Sequence, residues 1–105
     1  MNTIPLEKDI QRGILDYLTM KGIFHWRNNT GSFSSEYKGK SRFISFGAPG
    51  SPDIIAVRNG TCYGIEVKRP KGVQSESQKE FERAFTKAGG VYVLARSIDD
   101  VLFIK

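Results

Sequence analysis

The sequence predicts a single α/β domain in which a mixed β-sheet is covered by helices on both faces. Three observations carry that prediction. Residues 53–68, DIIAVRNGTCYGIEVK, read as two apolar strands around an Asn-Gly reversal. Stretches of helical periodicity lie on either side, near the N-terminus and over residues 75–88. VYVLA, residues 91–95, is a continuous apolar run after Gly89-Gly90, as a strand covered on both faces requires. At 105 residues the chain has room for one core and not two, so residues 1–105 form one domain.

From about residue 3 to 21, Leu6, Ile10, Ile14 and Leu18 recur every four positions and form one helical stripe. Pro5 fits the first turn and Gly22 the stop. IFHWRNN, from Ile23, is rich in aromatic and β-branched residues and reads as a strand. TGSFSSEYKGKSR, residues 30–42, is Gly/Ser-rich with little periodicity; it reads as a long loop or a hairpin with weak flanks. RFISFGAPGS then leads to Pro52, and the hairpin follows. RPKGVQ is a basic turn. The helix over 75–88 is expected to turn Phe81, Ala84, Phe85 and Ala88 inward and to end at Gly89-Gly90. SIDDVLFIK closes the domain with a helical turn and a short tail.

Hydrophobic content of 39% and charged content of 26% belong to an ordinary soluble protein. Sixteen Lys and Arg against eleven Asp and Glu leave a net charge of +5, which favours an anionic partner such as nucleic acid. Cys62 is the only cysteine and His25 the only histidine. An internal disulfide and a Cys/His zinc site are therefore excluded, and no nucleophile-elbow motif accompanies the histidine. The first twenty residues are charged throughout, without the apolar segment of a signal peptide, and no run is long enough to span a bilayer. The expectation is an intracellular, cytoplasmic, soluble protein with no membrane partner.

With Asn59 and Gly60 as the turn residues, Arg58 faces Thr61, Val57 faces Cys62 and Asp53 faces Glu66. Side chains directly opposite have Cβ atoms roughly 4.5–5.5 Å apart. Lys68 projects from the same face as Glu66 by alternation. Opposed carboxylates repel in an ordinary sheet, and a divalent cation between them reverses the sign of that interaction. The Val67 carbonyl offers a further oxygen. Lys68 then stands where it positions water or stabilises charge on an attacked phosphate, which suits phosphodiester hydrolysis. The competing reading is a surface ion pair of Glu66 with Lys68, with Asp53 capping a turn after Pro52. Ile54, Ile55, Val57, Ile65 and Val67 weigh against it, since they mark the strands as buried.

Pro52-Asp53 followed by Glu66-Val67-Lys68 resembles the PD-(D/E)XK nuclease motif. Its surroundings resemble the VRR-NUC branch of that superfamily: Glu7 and Gln11 in the first helix, GSPD before the first hairpin strand, IEVK at the end of the second, Ser77-Gln78 opening a helix, then AGGVYVLA. The resemblance covers nearly the whole chain. It implies a restriction-endonuclease-like mixed sheet with a central hairpin. It implies a Mg²⁺- or Mn²⁺-dependent endonuclease or exonuclease acting on DNA, and the leading expectation is an endonuclease selective for branched, flap or Holliday-junction DNA. Asp53 and Glu66 would be metal ligands, Lys68 the catalytic lysine, and Glu7 an acidic group near the metal. The chain lacks the additional DNA-binding domains of larger relatives, which makes a homodimer an attractive way to present two sites to a symmetric junction.

Glu7 is also explained as a first-turn acid favoured by the helix dipole. Ser75 and Gln78 fit a capping box; the resemblance adds a place for Gln78 near the scissile phosphate, and a helix N-terminus is a natural anion site. Lys38, Lys40 and Arg42, with Arg69 and Lys71 in the basic turn, are candidate phosphate contacts that together supply salt-sensitive affinity. His25 and Trp26 read as strand packing ahead of base stacking, and Cys62 as a small core residue. Two other functions fit the sequence: a catalytically silent nucleic-acid-binding module of the same fold, and an interaction subunit whose basic face meets an acidic protein.

Overall fold

The computed structural model of the chain describes residues 4–28, 31–37 and 40–105, with side chains described for 4–28 and 47–105. Helix α1 spans Glu7–Met20, followed by β1 (Phe24–Arg27), β2 (Gly31–Tyr37), β3 (Lys40–Phe46), β4 (Ile54–Arg58), β5 (Thr61–Val67), helix α2 (Glu76–Lys87) and β6 (Val91–Ala95). A 3₁₀ turn at Ile98–Val101 precedes the tail. Four strands form one sheet in the order β1-β4-β5-β6; β1, β4 and β5 pair antiparallel, and β5 pairs parallel with β6. A sheet of mixed sense between two helices is the expected architecture in its coarse form.

Alternation along the central strands divides the residues between the faces. Ile54 and Ala56 of β4, Ile65 and Val67 of β5, and Val93 and Ala95 of β6 share one face and pack with Ile10, Ile14, Tyr17 and Leu18 of α1. The stripe predicted for α1 is therefore its buried face, except that Leu6 precedes the helix and is exposed. Gly22 sits at φ +67°, a left-handed conformation that ends α1 without the penalty a side chain would meet. The C-terminal tail seals the same face. Val101 and Ile104 are fully buried, and the Tyr17 hydroxyl donates to the Ile104 carbonyl at 2.8 Å.

Helix α2 covers the opposite face. Gly64 lies tightly between Asp53's neighbour Pro52 and the ring of Phe85: a Cβ there would lie 3.0 Å from Pro52 and 3.2 Å from Phe85, so those side chains would have to shift. Phe81 and Phe85 stack at 5.5 Å between centroids. The predicted inner face of α2 needs correction, because Ala84 and Ala88 are exposed; the half-buried positions are Gln78, Phe81, Glu82 and Phe85. The helix lies over β6 on a face that carries polar groups, so its inner side is mixed rather than apolar.

Within and just beyond residues 30–42, anticipated as a loop or a weakly flanked hairpin, β2 pairs with β3 from Gly31 opposite Phe46 to Tyr37 opposite Lys40, in a sheet of their own. Backbone hydrogen bonds sustain such a ribbon without the hydrophobic alternation that marks a half-buried strand. Lys38 lies outside the described residues, as do the side chains of Lys40 and Arg42. Among the described residues no helix is long and apolar enough to cross a membrane.

Candidate active site

Asn59 at φ 51° and Gly60 at φ 80° make the β4–β5 reversal a type I′ turn, whose twist matches the strands it joins. The register runs from Arg58 opposite Thr61 to Ile54 opposite Ile65, as the sequence predicted. The next positions in that register are Asp53 and Glu66. Glu66 lies opposite Leu94 on the other side, so it is held between the Asp53 corner and β6 near the end of the central strand.

The corner that delivers Asp53 is tied at several points. The Asn28 side-chain amide donates to Ser51 Oγ at 2.8 Å and to the Pro52 carbonyl at 3.0 Å. The Asn28 backbone N–H donates to the Asp53 carbonyl at 2.7 Å. From the other side the Val67 N–H donates to Asp53 Oδ2 at 2.8 Å, fixing the carboxyl itself. Gly50, at φ +74°, brings the preceding loop against the backbone of Ser77 in the first turn of α2; any Cβ at this position would collide with the Ser77 carbonyl. The Pro-Asp corner is thereby registered against β1, β5 and α2 together.

Glu66 is buried, with 3% of its surface exposed. Its pKa is pushed up to about 9, first by burial, then by hydrogen bonding to Asp53 and the Asp53 charge, with a smaller contribution from Glu7; Lys68 acts in the opposite direction. Its Oε2 has no hydrogen-bond partner among the described residues. A carboxylate oxygen left this way loses its hydration without compensation. The surface-ion-pair reading fails on this burial, and among the described residues Lys68 forms no ion pair with Glu66.

Two adjoining hollows lie at this end of the sheet. Glu7, Lys8, Gln11, Asp53 and Val67 line one of about 270 Å³. Beside it, Ile4, Glu7, Lys68, Arg69, Lys71 and Gly72 line one of about 390 Å³. The structure thus gathers Glu7, Gln11, Asp53, Val67, Lys68, Arg69 and Lys71, all singled out in the sequence, around one end of the sheet. Gln78 is committed to the N-terminus of α2: its Oε1 accepts from the Ser75 N–H at 2.8 Å, while Ser75 Oγ accepts from the Gln78 N–H at 3.2 Å. The capping box is therefore present in full.

Two features escaped the sequence reading. Arg96 Nη1 donates to the carbonyls of Arg69 (2.8 Å), Pro70 (3.1 Å) and Gly72 (2.7 Å), while the Lys68 N–H donates to the Ala95 carbonyl at 3.0 Å. The end of β6 therefore holds the turn that follows Lys68. Gln74 Nε2 bridges Glu82 at 3.1 Å and the Tyr92 hydroxyl at 3.2 Å. Burial, and the charges of Glu66, Glu82 and Asp53, push Tyr92 up to about 12 against the opposing effect of Gln74. Neither network has a local sequence signature, since its members lie 8 to 27 positions apart and only the parallel β5–β6 pairing unites them.

Comparison with protein-family models, with curated proteins and with solved structures gives no match. The donor chemistry of Asp53 and Glu66 nevertheless fits a hard divalent cation. Mg²⁺ is ordinarily held by one or two carboxylates, with water and phosphate oxygens completing its octahedron. An orphaned oxygen on a buried carboxyl is the atom such an ion would satisfy. Among the described residues no three His, Cys, Asp or Glu side chains converge into a metal-holding group. Glu7 lines the same hollow as Asp53, and its charge adds to the upward shift of Glu66.

Proposed function

We propose that the chain is a Mg²⁺- or Mn²⁺-dependent deoxyribonuclease of the PD-(D/E)XK type, similar to the VRR-NUC branch, with a restriction-endonuclease-like fold. The observation that carries this reading is the buried Glu66 carboxyl beside Asp53, with one oxygen unpartnered and Lys68 on the same face. A protein with no use for that arrangement gains by replacing either acid with an apolar residue.

Asp53 and Glu66 would hold the ion, and the Val67 carbonyl is the adjacent main-chain donor. When bound, a divalent ion supplies Lewis acidity toward a phosphate oxygen and acidifies water. Lys68 stabilises charge on the attacked phosphate, and the Arg96 clamp restricts the turn that carries Arg69 and Lys71. The substrate is DNA with branched, flap or Holliday-junction structure, engaged by a homodimer. The surface that favours self-association is the β1 edge of the sheet, unpaired among the described residues, where Phe24 and Trp26 are exposed and meet at 5.8 Å.

The test is incubation with duplex, single-stranded, flap and four-way-junction DNA in Mg²⁺, Mn²⁺ or chelator. Cleavage is expected only with a divalent ion. Lys68→Ala should still bind metal while cleavage falls by roughly 10²–10³, and Asp53→Ala should lose both. DNA binding without metal-dependent products would replace this reading with the silent binding module. Absence of salt-dependent DNA affinity would favour an interaction subunit.

A further inference from the structure

We infer that Lys8, Arg12 and Arg27 form a second phosphate-binding arm, so that a nucleic-acid strand crosses the carboxylate pair and continues beyond it on both sides. The inference rests on the nuclease reading and adds to it the side of the site that the sequence left undefined.

A third hollow, of about 350 Å³, is lined by Lys8, Gln11, Arg12, Leu15, Asp16 and Arg27. It shares Lys8 and Gln11 with the hollow that contains Asp53, which in turn shares Glu7 with the hollow that contains Lys68. The three hollows therefore adjoin one another along α1, with Asp53 lining the middle one. At one end are Lys68, Arg69 and Lys71; at the other are Lys8, Arg12 and Arg27. Each end carries three cations and a single acid, Glu7 or Asp16.

Convergence distinguishes these cations from ordinary surface charge. Lys8 and Arg12 are one turn apart on α1, about 6 Å along its axis, and like charges at that spacing repel. Arg27 comes from another element, opposite Ile54 and next to Asn28, whose N–H holds the Asp53 carbonyl. Its place in the groove is therefore fixed relative to the carboxylates. All three are exposed, and among the described residues none is in an ion pair. Three unpaired cations from two elements facing one concavity are complementary to successive phosphates of a single strand.

A site with an arm on one side alone accommodates a strand terminus. A groove charged at both ends and open past the acids accommodates an internal phosphodiester. The activity is therefore endonucleolytic and needs no free DNA end.

Two measurements test this. The first is fluorescence anisotropy of a single-stranded oligonucleotide in chelator, titrated at several salt concentrations. An Arg12→Ala/Arg27→Ala double variant should bind about 10-fold more weakly near 0.1 M salt, with the slope of log K against log[salt] reduced by roughly 1.4, two contacts' worth. Lys87→Ala, an exposed cation at the far end of α2, should change neither. An unchanged slope in the double variant, or an equal per-charge loss from Lys87→Ala, overturns the arm. The second compares a covalently closed DNA circle bearing a four-way junction with the same DNA linearised away from the junction, in Mg²⁺. Equal initial rates of cutting are expected, and a resistant circle beside a degraded linear form overturns the crossing path. Should neither DNA be cut, the nuclease reading fails while the salt slope still decides the arm.

Discussion

Beneath α1 the sheet is dry: Ile14, Leu18, Ile54, Ile65 and Ile104 are fully buried, and the tail closes over them. Beneath α2 the same strands present Gly64, Glu66 and Tyr92, and no residue of α2 is fully buried. The difference shows where the fold draws its stability. Each fully buried aliphatic side chain contributes on the order of 1.5–3 kcal/mol, whereas a buried carboxyl with an orphaned oxygen opposes folding. The α1 face carries the domain, so that the α2 face can hold a destabilising pair of acids in place. The candidate site lies at the end of the sheet, where the N-terminal turn of α1 meets the acids.

The strongest way to break this comparison is to empty both faces in turn. Leu18→Ala should cost 2–5 kcal/mol, a large share of the roughly 5–15 kcal/mol of an ordinary domain. Phe85→Ala removes a larger side chain from a half-exposed position and should cost less, on the order of 1–2 kcal/mol. Urea unfolding of the two variants checks the ranking. A Phe85→Ala loss equal to that of Leu18→Ala would mean that both helices anchor the sheet alike.

The acids make the α2 face pH-sensitive in a definite direction. Folded Glu66 keeps its proton up to about pH 9, whereas the unfolded chain releases it near 4.5. Between those values folding takes up a proton, so stability in chelator falls as pH rises, by at most about 1.4 kcal/mol per unit. Above pH 9 the dependence on this group ends. Glu66→Gln should remove the slope and be the more stable protein at pH 8. Saturating Mg²⁺ should stabilise the wild type by mass action and the Gln variant far less. Urea midpoints from pH 5 to 9, with and without Mg²⁺, give the answer; parallel profiles for the two proteins would show that Glu66 is not the titrating group. Calorimetry at pH 7.5 in buffers of different ionisation enthalpy should also show close to one proton released per ion bound, because a ligand must be deprotonated.

Why some of this was legible in the sequence and some was not follows from range. Asn59-Gly60 specifies its turn locally, and a turn of known type fixes the register, which is why Asp53 opposite Glu66 was readable before any coordinates. The stripe of α1 was equally local. The inward face of α2 was misjudged because alanine is neutral to burial: Ala84 and Ala88 satisfied the period without being needed. Arg96, Gln74 and Tyr92 were unreadable, since their partners are set by the parallel β5–β6 pairing. Lys8 and Arg12 did carry a signal, an i,i+4 pair of like charges, but a solvated helix face has the same appearance until Arg27 is seen across from it.

The smallest expected effect separates two roles at the N-terminus of α2. Gln78 completes the capping box with Ser75, and the resemblance to the VRR-NUC motif adds a place for it near the scissile phosphate. Glutamate is as good a capping-box residue as glutamine, and it suits the positive end of the helix dipole. Gln78→Glu should therefore change stability by no more than about 0.5 kcal/mol. A carboxylate introduced beside a phosphate would repel it, so cleavage should fall by roughly tenfold or more. Ser75→Ala provides the converse: loss of about 1 kcal/mol of stability with cleavage at saturating substrate near that of the wild type. Thermal unfolding and initial rates on both variants complete the test. Full cleavage by Gln78→Glu would confine Gln78 to the cap and leave Asp53, Glu66 and Lys68 to carry the chemistry.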